Sequence, residues 1–145
     1  MKALIQRVTS SMVEVDDKIV GQIDSGLLVF VGIEKQDDLL NADKMIERII
    51  SYRVFSDSDG KMNLNLKDIG GSILIVSQFT LAADTKNGTR AGFSTAMPQI
   101  QAESIYDYIV EKIKVLKIDT QCGIFGADMK VSLVNDGPVT FLLDA

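Results

Sequence analysis

Histidine is absent from all 145 residues. Its absence excludes Ser-His-Asp and Cys-His arrangements, His-ligated zinc and imidazole acid–base catalysis. Cysteine is nearly absent as well. Cys122 stands alone, so no internal disulfide or thiolate zinc site can form, which fits a reducing cytoplasm. No apolar run approaches the ~18 residues of a membrane span. The opening Met1–Arg7 lacks the apolar core of a signal peptide. Positive charge is also short: 15 Lys and Arg face 20 Asp and Glu, a net charge of −5. Phosphate binding is driven by Lys and Arg, so any nucleic-acid contact must be a local patch at one end of the partner. No DNA partner is expected. Chemistry is left to carboxylates, hydroxyls, lysine, tyrosine, backbone dipoles or the substrate itself.

What is present fits one soluble globular domain over 1–145, with 46% hydrophobic and 24% charged residues. Residues 2–8 read as a first strand. Met12–Val15 and Ile19–Ile23 flank Asp16-Asp17-Lys18 as a hairpin. The run 26–33 lies between glycines and is almost wholly apolar, the mark of a strand buried on both faces. Leu39, Ala42, Met45, Ile46, Ile49 and Ile50 recur at helical spacing, predicting a helix over 38–51 capped by Asp37 or Asp38. A short strand over 52–55 follows. Asp57-Ser58-Asp59-Gly60 superficially looks like a calcium loop, but the register with Gly60 at position 6 places Phe55 and Leu66 at ligand positions. It therefore reads as a surface turn, and no metal site is expected.

Residues 72–81 read as a strand, 82–96 as a loop with a cationic tip at Lys86 and Arg90, and 98–117 as a second helix beginning at Pro98. That helix's inner stripe is read as Ile100, Ile105, Tyr108, Ile109, Ile113 and Leu116. Its Lys112, Lys114 and Lys117 read as a solvated face. A glycine-punctuated connection over 120–128 leads to two alternating runs, Met129–Val134 and Val139–Leu143. Strands in groups, each followed by a helix, predict an α+β fold: a curved, barrel-like, mostly antiparallel sheet with two helices packed on it.

Two stretches carry candidate chemistry. Ser77-Gln78-Phe79-Thr80-Leu81 ends an apolar strand in hydroxyls and a carboxamide. Strand alternation puts Gln78 and Thr80 on the face opposite Ser77, Phe79 and Leu81. The plain reading is that threonine is a good strand former and Ser77 bonds locally. Asn135-Asp136-Gly137-Pro138-Val139-Thr140 reads most simply as a hairpin turn. A Gly-Pro step also removes a backbone donor and frees a φ angle, so its carbonyls can face outward, and an X-Pro bond is cis at a cost of only ~0.5–1 kcal/mol.

Together these two stretches resemble the signature motifs of the D-aminoacyl-tRNA deacylases. Ile5-Gln6-Arg7-Val8, Gly60-Lys61-Met62-Asn63 and Phe125-Gly126-Ala127-Asp128-Met129 fit the same family, so the resemblance spans nearly the whole chain. One loop departs: where family members commonly read Asn-Arg-Pro-Ser-Phe, this chain has Thr89-Arg90-Ala91-Gly92-Phe93. The resemblance implies a homodimer with composite sites at the interface and no cofactor. It implies hydrolysis of the ester joining a D-amino acid to the 3′-terminal adenosine of tRNA, with glycyl-tRNA mischarged on tRNA-Ala also accepted. Gly137-Pro138 of one subunit, in cis, enters the partner's pocket beside Ser77–Leu81 and excludes L side chains. Val139 and Thr140 flank that wedge, Arg7 braces it, and Met129 lines the pocket. Lys86 and Arg90 are the candidates for tRNA phosphates, and Cys122 is a structural or surface thiol.

Two mechanisms follow. Thr80 acts as nucleophile or polarising group, or the ribose 2′-hydroxyl activates water while Phe79 and Thr80 amides receive the oxyanion. With no base near Thr80 in sequence, the second is favoured. A nucleic-acid-end binding module and a purely structural dimer are the rival readings.

Overall fold

The computed structural model covers residues 1–145. Its organising element is β1 (Lys2–Val15), a strand long enough to pair with three others. The two expected strands at 2–8 and 12–15 are one. The polar Thr9-Ser10-Ser11 between them does not break it, because the buried Ser11 hydroxyl donates to the Ser132 carbonyl at 3.1 Å. Asp16 and Asp17 take φ of 50° and 59°, the positive values a two-residue hairpin needs at both central positions. They turn β1 into β2 (Lys18–Ile23).

The strand β3 (Gly26–Gly32) runs antiparallel to β1, and β6 (Ser72–Ser77) runs parallel to β3. Leu27, Val29, Ile73 and Ile75 face one apolar cluster, Leu28, Leu74 and Val76 another. Both faces are covered, which is why these runs are apolar without alternation. The first cluster holds the helices; the second fills the inside of the curved sheet. The short β7 (Thr120–Cys122) pairs parallel with β6, inside a segment expected to be a connection. It has no apolar pattern of its own and exists by pairing. Its far side approaches β2 so closely that a Cβ at Gly21 would lie 2.8 Å from the Cys122 carbonyl oxygen. The sheet is thereby nearly closed into a barrel, with antiparallel and parallel pairs mixed.

The helix α1 (Leu39–Ser51) starts where expected. The Asp38 carboxylate accepts from the Leu40 and Asn41 amides at 2.9 and 3.0 Å, and the Asn41 side chain accepts from the Asp38 amide at 3.1 Å. This reciprocal cap satisfies donors the first turn cannot. Asp38→Ala is expected to cost about 1 kcal/mol and lower Tm by about 3 °C, read by thermal unfolding.

The second helix, α2 (Gln99–Val115), buries Ala102, Ile105, Tyr106, Ile109, Val110 and Ile113. Ile100 is 81% exposed and Leu116 is exposed, which corrects the expected stripe. Residues 100 and 105 lie about 140° apart around a helix, so Ile100 could not share the face of Ile105. Tyr106 takes the inward position, and its hydroxyl donates to the Ile75 carbonyl at 2.8 Å. Burial pushes that phenol's pKa up. The hydroxyl of the half-buried Tyr108 reaches Asp43 on α1 at 2.8 Å.

Of the expected strand at 52–55 only Phe55 pairs, as β4 (Phe55–Ser56) against β5 (Met62–Leu64). The turn between them is organised by Asp57, which accepts from the Asp59 and Lys61 amides and from the Asn63 side chain at 2.7 Å. The Asn63 hydrogen bond, above all, holds its carboxyl below the usual range. The acceptor a calcium loop would need is consumed by the turn itself. No helix is long and apolar enough to cross a membrane.

Candidate functional site: a cavity under β6 and a braced bulge on β8

The last strand, β8 (Lys130–Asp144), corrects the hairpin reading of residues 135–140. Both apolar runs belong to one strand, antiparallel to β1 over its whole length. Gln6 pairs with Thr140 and Val8 with Asn135, so Arg7 alone faces the four residues Asp136–Val139. The surplus residues bulge outward. Asn135 closes the base of the bulge. Its Oδ1 accepts from the Val139 amide at 3.0 Å and its Nδ2 donates to Thr140 Oγ1 at 2.9 Å. Gln6 donates to the same hydroxyl at 3.1 Å.

Arg7 holds the other side. Its Nε donates to the Asp136 carbonyl at 3.0 Å and lies 3.4 Å from the Asp136 carboxylate, while Nη1 donates to the Val54 carbonyl at 2.7 Å. Gly137 sits at φ 131°, and the Gly137-Pro138 bond is cis. Gly137 and Pro138 are both exposed. The bulge is thus tied at its base and open at its tip.

The Ser77–Leu81 stretch also differs from expectation. The strand ends at Ser77; the Gln78 amide makes one further bond, to the Val31 carbonyl at 2.8 Å, and Phe79–Ala82 then form a 3-10 helix. Strict alternation therefore fails beyond Ser77, because successive residues of such a turn are about 120° apart. Phe79 borders a cavity, Thr80 faces solvent, and Leu81 packs over Gly32. A Cβ at position 32 would lie 2.7 Å from that of Leu81 and 3.0 Å from the Gln78 carbonyl oxygen, so glycine there lets the turn fold across the end of β3. The first N–H groups of the turn have no partner inside it. Gln78 Nε2 lies 2.5 Å from Thr80 Oγ1.

The cavity has a volume of about 490 Å³ and a mostly apolar lining. Of the residues singled out from sequence, Ser77, Gln78, Phe79 and Met129 line it. Thr80 follows Phe79 in the turn, is exposed, and does not line the cavity. Leu81, Arg7 and residues 137–140 do not line it, and Lys86 and Arg90 lie on the exposed loop between the 3-10 helix and α2. Phe125–Asp128, named together with Met129 in the family resemblance, line the cavity as well. The strand residues Val31, Val76 and Val131, Ile33 just after β3, and Ala96, Met97, Gln99 and Ala102 around the start of α2 complete the wall without having been expected there. Two glycines let the 123–129 segment reach the cavity. A Cβ at Gly123 would lie 2.6 Å from Met129 Sδ, and Gly126, at φ 74°, brings the chain against Gln99. Asp128 is the one charged residue in the lining. No group of three or more Asp, Glu or Cys side chains that could hold a metal ion occurs in the structure.

An apolar cavity edged by a carboxamide and hydroxyls is suited to a flat, partly polar ligand. A family model and curated relatives agree on one family. A family model described as D-Tyr-tRNA(Tyr) deacylase matches residues 4–144. A protein of Vibrio cholerae named D-aminoacyl-tRNA deacylase is 58% identical over 145 residues, covering all of both chains. A protein of the same name from Stutzerimonas stutzeri is 56% identical over the same full length. Among solved structures, the c-Myc DNA Unwinding Element Binding Protein superposes with a TM-score of 0.95 at 37% identity, covering 100% of this chain and 99% of that one. A structure described as a probable eukaryotic D-amino acid tRNA deacylase superposes with a TM-score of 0.89 at 15% identity, over 99% and 98% of the two chains, a likeness of fold.

Proposed function

This chain belongs to the D-Tyr-tRNA(Tyr) deacylase family and is a hydrolase of D-aminoacyl-tRNA, and from that premise we propose a composite site in which two copies of the chain read the handedness of the amino acid. The terminal adenosine occupies the cavity lined by Ser77, Gln78, Phe79 and Met129. The ester carbonyl lies at the rim, facing the amides of Phe79 and Thr80. Gly137-Pro138 of a second copy enters from outside, and its carbonyls accept hydrogen bonds from the α-ammonium group. A D side chain then points to open space, and an L side chain meets the wedge. Glycine has no side chain to exclude and passes as well.

The reaction adds water to the acyl carbon and breaks its bond to the ribose O3′, which leaves with a proton. The ribose 2′-hydroxyl orients and activates that water. The partner is the 3′ end of tRNA in the cytoplasm, not DNA; the acidic net charge disfavours long nucleic-acid contacts.

The observation supporting this reading is a separation. The Ser77–Phe79 stretch lines the cavity, whereas none of residues 135–140 does, and the bulge tip is exposed on a tightly braced base. A rigid exposed wedge without a pocket of its own is suited to serve as a wall in another molecule's pocket. Rejection needs a stiff wall more than a specific fit. Ester loss from D-aminoacyl-, glycyl- and L-aminoacyl-tRNA, followed against a no-protein control, tests it. Loss of the D and glycyl esters with the L ester spared is the expected result. RNA retained with every ester intact would point to a binding module, and neither retention nor loss to a structural dimer.

A further inference from the structure

Phe79 and Phe93 lie with ring centroids 5.1 Å apart and planes at 45°. They remain 61% and 46% exposed, although aromatic rings of this size are normally drawn inward. Phe79 borders the cavity; Phe93 does not, so the pair extends the apolar wall outward past the mouth. The loop carrying Phe93 is fastened on both sides of the ring. Asp84 and Gly92 exchange backbone hydrogen bonds of 2.8 and 2.9 Å, the Lys35 amide donates to the Thr95 carbonyl at 2.8 Å, and the Thr95 hydroxyl donates to the Ala82 carbonyl. The span between Asp84 and Gly92 carries Lys86 and Arg90, and neither makes a salt bridge. Lys86 and Arg90 are thus unpaired cations on the loop that carries Phe93, against a single carboxylate, Asp84, at its foot, in a chain of net charge −5.

Aromatic faces flanked by cations are how proteins hold single-stranded nucleic acid. We propose that Phe79 and Phe93 form a stacking platform for the unpaired nucleotide preceding the terminal adenosine, with Lys86 and Arg90 at its phosphates. The proposal rests on the deacylase reading, which places the terminal adenosine in the cavity. The strand leaving that cavity crosses Phe79 first and Phe93 next. The platform binds RNA and takes no part in bond breaking; it raises the occupancy of the site by tRNA over shorter esters.

Two substrates separate the platform from the chemistry: D-aminoacyl-tRNA, and the D-aminoacyl ester of adenosine alone, which has no preceding nucleotide. For Phe93→Ala, kcat/KM on the tRNA is expected to fall about five- to a hundred-fold, the worth of one stacked base, mainly through KM. The loss on the adenosine ester is expected to be several-fold smaller. Phe93→Trp, which keeps a stacking face, is expected to recover most of the tRNA activity. Replacing Lys86 and Arg90 with alanine is expected to flatten the salt dependence of tRNA binding by about 0.7 log units per log unit of salt for each cation removed. Equal losses on both substrates would make Phe93 only a support for Phe79 and overturn the platform, as would no loss on either. Wild-type protein inactive on both substrates would sink the deacylase reading itself.

Discussion

Gly137→Ala is expected to lower D-aminoacyl-tRNA hydrolysis about a hundred-fold while the fold persists, at a cost in stability of about 1–3 kcal/mol. The backbone at this position has φ 131°, a region that side chains rarely occupy. An added Cβ would lie 2.8 Å from Val139 Cγ2, 2.9 Å from Arg7 Nη2 and 3.2 Å from the Val139 amide. Relief requires either a rotation of the bulge or displacement of the Arg7 guanidinium, which donates to the Asp136 and Val54 carbonyls. Either change moves the carbonyls proposed to hold the α-ammonium group. A displacement of about 1 Å at a positioning element can cost about 10²-fold. The global fold persists, because the tip is exposed and β8 stays paired to β1 on both sides of the bulge. The measurement is single-turnover hydrolysis of D- and L-aminoacyl-tRNA, with circular dichroism and light scattering to show that fold and oligomeric state persist. If the proposed wedge is also the filter, the L-to-D rate ratio rises. Activity within about three-fold of wild type, at unchanged L-to-D ratio, would remove the wedge from the mechanism.

A substrate ending in 2′-deoxyadenosine is expected to react at least about a hundred-fold more slowly, whereas Thr80→Ala is expected to keep activity within about ten-fold of wild type. General acid–base assistance contributes ~10²–10⁴ to a rate, and it must come from some group. The chain holds no histidine. The Thr80 hydroxyl lies 2.5 Å from the Gln78 carboxamide, which has no proton affinity to act as a base. Asp128, the single carboxylate of the lining, comes from the segment before β8 and makes no hydrogen bond with Ser77, Gln78 or Thr80. The ribose 2′-hydroxyl, next to the ester oxygen, is then the group positioned to direct water. In the proposed mechanism the protein supplies orientation and backbone amides. The decisive comparison is kcat/KM for ribo and deoxyribo substrates with both proteins. Near-zero turnover by a folded, tRNA-binding Thr80→Ala protein, with the deoxy substrate unimpaired, would transfer the chemistry to Thr80.

The two motifs were legible as a pair, through their resemblance to the deacylase signatures; taken singly, each has a plain structural reading. Glycine followed by proline announces an unusual main-chain path, and hydroxyls at the end of an apolar run announce a polar edge. Their exact shapes were not legible. Residues 135–140 read as a hairpin turn because two alternating runs flank them, and local chemistry cannot distinguish a turn from a bulge. The outcome was decided by β1, which is long enough to pair with both runs at once. Thr80 and Leu81 were assigned to strand faces that do not exist, since the ladder ends at Ser77 once Gly32 admits a 3-10 turn over the end of β3. Ile100 was assigned to the buried stripe because it is apolar; helical angle and the better-placed Tyr106 override composition there.

What the amino-acid order determined alone was therefore local. The helices, the doubly buried strands and the absence of imidazole chemistry follow from short-range spacing and composition, which depend on no distant partner, while the two motifs stood out through their resemblance to the deacylase family. The cavity wall from the start of α2 and from Phe125–Asp128, the strand at Thr120–Cys122, the closing of the sheet at Gly21 and the bulge facing Arg7 were decided only in three dimensions. Each of them is a meeting of segments far apart in the chain, and neither segment carries the other's position in its own pattern.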